Sequence, residues 1–235
     1  MVSLDVTGAI STAWEYAKKH GLIIAGVLLL LSLVSSSMQS LFGGPSLSND
    51  EARQLGEEIG RGNMQALAEF GKVMSQGIGA SIISFIFSII TCIVSFALYN
   101  LCLGLMSGRF SECSFDAFKM DPMTYVKAFV IEMITGTIMV IAFLLCVIPF
   151  FFVAPRLIMA PLYQIDHPEA GIMDSIKASW NMSSGNTMSL LGLGFICCGI
   201  AIVGFFCCCV GVYFAQAIEY FALCAAYYQL KSNVN

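Results

Sequence analysis

The chain has 235 residues, of which 58% are hydrophobic and only 11% charged, and its formal net charge is −4. Soluble domains carry about a quarter charged residues, so this composition excludes a polar-coated globule, and the lack of a basic block excludes nucleic acid as a partner. With a mean hydropathy of +0.83, the chain requires lipid as its solvent, and its length suits one all-α, polytopic integral membrane bundle over residues 1–235.

From the N-terminus, residues 3–20 read as an amphipathic helix. Val6, Ile10, Ala13, Trp14 and Ala17 recur at helical spacing, with Asp5, Glu15, Lys18 and Lys19 between them. Trp14 and Tyr16 suit a membrane–water interface, so this helix is expected to lie on the bilayer. A first span follows at about 21–42. Its flanks mimic a signal peptide, but the preceding region is long and partly acidic and no A-x-A site follows, so the span is read as retained.

Residues 43–76 are the one sizeable polar stretch. Gly43-Gly44-Pro45 ends the first span, and Ser48 with Glu51 forms a capping box. A helical excursion follows, loosened by Gly56, Gly60 and Gly62. The second span covers about 77–106, longer than the ~20 residues a bilayer requires. A connector (109–127) leads to the third span at about 128–147.

The fourth span, 149–165, contains Pro149, Pro155 and Pro161. Each proline removes a backbone donor, which predicts a bent or broken helix. Residues 166–186 form a polar connector with an amphipathic helix, Ile172 to Met182, in which Trp180 is a second interfacial anchor. The fifth and sixth spans cover about 187–207 and 211–230. Basic residues near short connectors place both termini in the cytoplasm and 43–76 outside it, in a bacterial inner membrane.

Two internal echoes stand out. Residues 9–14 (Ala-Ile-Ser-Thr-Ala-Trp) resemble residues 175–180 (Ser-Ile-Lys-Ala-Ser-Trp), each ahead of a span. Cys146-Val147 and Cys209-Val210 each precede a charge by ten residues, Arg156 in one case and Glu219 in the other. Equal depth for those two charges follows if the hairpins are equivalent.

A charge inside an apolar run is expensive and is kept for a fold-locking pair or a working site. Arg156 therefore has two readings: an ion pair with Glu219 or Glu132, or a fork of donors for an anionic lipid headgroup or carboxylate. Glu219 has Gln216, Tyr213 and Tyr220 for company, a stripe expected to face the bundle interior. That stripe suits proton coupling, cation binding or a plain polar seam. Glu132, about one turn from Lys127, is expected to snorkel to the interface. Thr91, Ser95, Tyr99 and Asn100 of the second span either line a cavity or serve as ordinary contacts between helices. Asp166, His167 and Glu169 read as a solvated turn in preference to a metal site.

The ten cysteines mostly lie in apolar runs and form no CxxC, and there are only two histidines. They read as packing residues or idle thiols, with a disulfide at Cys207-Cys208-Cys209 as the lesser reading. No catalytic motif, metal site or cofactor is implied.

Several stretches together carry a resemblance to a known group. They are the Trp-bearing helix before span one, the run from Pro155-Arg156-Leu157 to Ala160-Pro161, the segment Asp174 to Trp180, and Gly185-Asn186. The chain resembles a broad group of bacterial six-span membrane proteins of unknown function. That group is similar to the membrane domain attached to some glycerophosphoryl diester phosphodiesterases. The resemblance implies a polytopic membrane domain without an assigned reaction, since the phosphodiesterase barrel is absent. The expected function is a non-enzymatic lipid- or partner-binding component, with a small-solute, ion or lipid transporter or channel using Arg156 and Glu219 as the alternative. Membrane lipids are the expected partners, together with a membrane or extracytoplasmic protein reached through 43–76.

Overall fold

Long apolar runs have no water to satisfy their backbone, so they close their own hydrogen bonds as helices. The computed structural model describes residues 3–42, 49–113, 115–145, 147–206 and 209–232, and these are helical with no strand among them. The helices are α1 (Val6–Phe42), α2 (Asn49–Gly60), α3 (Met64–Met106), α4 (Pro122–Leu145), α5 (Val147–Leu157), α6 (Ala160–Asp166), α7 (Ile172–Ser183), α8 (Thr187–Phe206) and α9 (Cys209–Lys231). Segments of α1, α3, α4, α8 and α9 are long and apolar enough to cross a membrane. The chain is a multi-pass, all-α membrane protein.

The chain divides into two compact units, one of Met1–Leu29 with Cys92–Asn235 and one of Leu30–Thr91. In the second unit apolar side chains such as Leu33, Phe85, Ile86 and Ile90 are exposed, and Ala66 is buried. Its turn between α2 and α3 is built on Gly62, whose φ of 81° only glycine adopts without strain. Asn63 then caps α3, its Oδ1 accepting the Gln65 amide at 3.0 Å. The expected capping residue Ser48 lies outside the described residues, as do Gly43-Gly44-Pro45.

Two sequence boundaries shift. The excursion was expected to end before the second span, but α3 starts at Met64 and reaches Met106 unbroken, 43 residues in all. The interfacial helix of 3–20 is likewise not separate, because α1 runs 37 residues without interruption. Its first half is packed inside the first unit, with Ala9, Ala13, Ala17 and Ile24 fully buried. Small residues four apart let neighbouring backbones approach, so this face of the helix is core. Asp5 caps this helix through bonds from the Gly8 amide at 3.1 Å and the Thr7 hydroxyl at 2.7 Å.

The core of the first unit gathers around α9. Phe221, Ala222, Cys224, Ala226, Tyr227 and Leu230 on this helix are almost completely buried. Tyr16 of α1 stacks on Phe221, and the Tyr228 hydroxyl donates to the Leu103 carbonyl of α3 at 3.0 Å. α8 packs along α9, α4 contacts both α5 and α6, and α7 contacts α5 and α6. Because both short helices lie on α4, α5 and α6 together retrace it.

Candidate functional site

The predicted fourth span is broken at Ile158-Met159, between Pro155 and Pro161. The helix stops at Leu157 and restarts at Ala160, so the Pro155 and Arg156 carbonyls are left without the Met159 and Ala160 amides that a continuous helix would give them. α7 supplies replacements. The Ser179 hydroxyl donates to the Arg156 carbonyl at 2.6 Å and the Ser183 hydroxyl approaches the Pro155 carbonyl at 3.4 Å. One turn earlier the Ser175 hydroxyl donates to Gln164 Oε1 at 2.9 Å. All three serines are fully buried. This ladder was missed in the sequence, although serines at 175, 179 and 183 facing a proline-rich segment were its signal.

Arg156 is held at the same place. Its Nε donates to Thr187 Oγ1 at 3.3 Å, and its guanidinium carbon lies 4.6 Å from the centre of the Trp180 ring. Among the described residues no carboxylate lies within ion-pair distance of Arg156. The expected pairing with Glu219 or Glu132 is therefore not made, and depth explains why. Thr187 is the first residue of α8, so Arg156 sits level with the polar end of that helix. Gly204 and Gly211 mark the close crossing of α8 and α9: a Cβ added to either would fall 2.4–2.6 Å from the other's carbonyl oxygen. Counting back from that crossing puts Glu219 opposite Ile196, near the middle of α8. At ~1.5 Å per residue, Arg156 and Glu219 differ in depth by roughly 13 Å.

Glu219 does not face the interior as expected. The buried face of α9 near it is Ala217, Ile218, Phe221 and Ala222, whereas Glu219 is exposed and Gln216, Tyr213 and Tyr220 are half-buried. Glu219 lines a cleft of about 290 Å³ between α5, α8 and α9, walled by Phe150, Phe151, Phe195 and Leu223. No described residue donates a hydrogen bond or an ion pair to it. Tyr220 turns the other way and packs on Tyr99, with ring centres 4.6 Å apart.

Glu132 does not snorkel towards Lys127. It accepts the Cys92 thiol at 3.3 Å and lines a second cleft of about 210 Å³ with Tyr99, Thr135 and Leu157. Lys127 donates to the Pro168 and Ala170 carbonyls instead, at 2.8 and 3.1 Å. Ile158, at the break, borders both clefts.

The turn 166–170 is locked as well as solvated. Asp166 accepts the Tyr227 hydroxyl at 2.8 Å and forms an ion pair with Lys231. Burial pushes the Asp166 carboxyl up, but the bonds from Lys231 and Tyr227 and the nearby His167 together hold it below its ordinary range. Glu169 bonds His167 at 3.1 Å, and among the described residues no group of three metal-ligating side chains converges. The described cysteines, Cys92, Cys102, Cys113, Cys197, Cys198 and Cys224, are free thiols. The Cys207-Cys208 pair lies outside the described residues.

No family model, curated protein or solved structure matches this chain.

Proposed function

We propose that this protein is a non-enzymatic lipid-binding component of a bacterial inner membrane, with both termini cytoplasmic, and that Arg156 recognises an anionic headgroup. The observation that carries this reading is the guanidinium stacked on Trp180 where α8 begins, with no carboxylate partner among the described residues. A phosphate matches the planar fork of arginine, and an indole is at home at headgroup level. Thr187 and Trp180 orient the fork and leave its terminal nitrogens for the ligand. Basic side chains gather at the same end of the bundle: Lys127 at the start of α4 and Lys231 at the end of α9 both meet the α6–α7 turn. That clustering supports the cytoplasmic assignment. The resemblance of residues 150–190 to six-span membrane domains belongs to the same reading, as does a protein partner for 43–76. Transport through Arg156 and Glu219 acting together has less support, because the two sit at different depths.

The test is retention of phosphatidylglycerol by purified protein in mixed nanodiscs, read by native mass spectrometry. A charge-assisted bond contributes about 1.5–3 kcal/mol, so Arg156→Gln should weaken retention about tenfold or more, and Arg156→Lys by less. Equal retention by wild type and Arg156→Gln would sink the reading.

A further inference from the structure

The cleft that holds Glu219 carries a second binding activity, independent of the Arg156 reading. Its chemistry is unusual for a membrane bundle. The walls are apolar and aromatic: Phe150 and Phe151 meet edge to face at 5.7 Å, and Phe151 stacks on Phe195 at 6.2 Å. Among the described residues Glu219 is the one charged side chain lining it. Among the described residues no lysine, arginine or histidine lines the cleft, and none donates to the Glu219 carboxylate. Register places that carboxylate at mid-span, where an uncompensated charge costs a few kcal/mol. An acyl chain would satisfy the walls and leave the carboxylate without a partner. Water or a bare metal cation would satisfy the carboxylate and leave three aromatic rings without one.

One class of occupant satisfies both. We infer that the cleft between α5, α8 and α9 binds a lipophilic organic cation, its charge on Glu219 and its apolar body against Phe150, Phe151 and Phe195. Aromatic faces attract cations as well as apolar groups, most strongly when desolvated. The volume of about 290 Å³ is at the small end of the usual ligand range. Ile158 and Phe195 on its rim are exposed, so the cleft opens on the flank of the bundle, and a cation dissolved in the bilayer reaches it sideways.

The experiment is equilibrium binding of radiolabelled tetraphenylphosphonium to the full chain in phosphatidylcholine nanodiscs. Saturable binding is expected, weakened at least tenfold in Glu219→Gln and unaltered in Glu132→Gln, which lies in the other cleft. Tetraphenylborate, the same shape with the opposite charge, should not compete. A second variant guards against misfolding of the first. A Cβ added to Gly194 meets nothing within 4 Å, and Gly194 lines the cleft. Gly194→Leu should therefore fill the space and abolish binding while Glu219 stays in place. No saturable binding to wild type, equal binding by Glu219→Gln, or full competition by tetraphenylborate would each overturn the inference.

Discussion

The first half of α1 and the pair α7–α8 follow one pattern with opposite outcomes. Ala9, Ala13 and Ala17 are fully buried on α1, and Ser175, Ser179 and Ser183 are fully buried at the corresponding places of α7. Trp14 and Trp180 stand at the same offset, both exposed, each with a cation over its ring: Lys18 at 5.5 Å and Arg156 at 4.6 Å. The two regions even touch, through the Leu4 amide and Asn186 Oδ1 at 2.9 Å. Yet α1 continues as a single helix, while its counterpart stops after Ser183 and restarts at Thr187. The difference teaches what a small residue does in a membrane bundle. Alanine permits close approach and nothing more. Serine permits the same approach and also donates, and only the serine copy lies against a proline-broken neighbour that needs donors.

The strongest way to break this comparison is to turn the serines into alanines. In the double variant Ser179→Ala, Ser183→Ala the Arg156 carbonyl loses its donor in a dry interior, and the Ser183 hydroxyl, which donates to the Ser179 carbonyl at 2.7 Å and only approaches the Pro155 carbonyl, is removed with it. An unsatisfied buried polar group costs about 1–3 kcal/mol, so a loss of about that size is expected for the pair, most of it from Ser179. Reversible unfolding in mixed micelles measures it. A loss below about 0.5 kcal/mol would show that the break is held by packing and that the ladder is incidental.

A smaller effect separates the two regions by pH. Asp5 at the start of α1, and Asp166 at the end of α6 just ahead of α7, each sit at a helix end with the carboxyl below the ordinary range. For Asp5 the causes are the Thr7 and Gly8 bonds, and for Asp166 burial is outweighed by Lys231 and Tyr227. A carboxyl whose folded value is depressed stabilises above its unfolded value of 3.8 and loses that contribution as pH falls through the folded value. Asp5 lies at the surface in water, where charge interactions are screened, while the side chain of Asp166 is only 12% exposed. Asp166→Asn should therefore lower the thermal midpoint at neutral pH more than Asp5→Asn does. Both deficits should shrink as pH falls below 3.8. A deficit for Asp166→Asn that persists unchanged in acid would mean that the asparagine amide disturbs Tyr227 sterically, and would remove the ion pair from the account.

Much of this was readable in the sequence, and the failures share a physical cause. The apolar runs give the helices because lipid leaves the backbone no alternative, and Pro155 and Pro161 located the break. What the runs do not encode is depth and facing. Ten residues from a turn put Arg156 and Glu219 at equal depth only if both helices start at the same level, and α5 and α9 do not. Trp14 and Tyr16 drew attention to one face of α1, where Trp14 is exposed and Tyr16 half-buried. The opposite face of the same helix is alanine, which is too weak a signal to reveal that it is core. The Glu219 cleft was hidden for a similar reason: three phenylalanines from two distant segments look like ordinary lipid-facing residues until the fold brings them around one carboxylate.

The smallest expected effect is the reciprocal of the largest. Ala13→Ser puts on α1 the hydroxyl that Ser179 carries on α7. Nothing near Ala13 is known to need a donor, since α1 is unbroken there and its carbonyls are used within the helix. The new hydroxyl has a local acceptor, the carbonyl one turn back, as Ser183 has in the Ser179 carbonyl at 2.7 Å. It therefore stays satisfied, and its cost is limited to one extra atom in a tight seam, about 1 kcal/mol or less. If the same unfolding assay gives equal losses for Ala13→Ser and Ser179→Ala, the two stripes are equally intolerant of any change. The donor role assigned to the serines would then have no distinct energetic signature. A near-silent Ala13→Ser beside a costly Ser179→Ala isolates the hydrogen bond from the packing, which the two regions otherwise share.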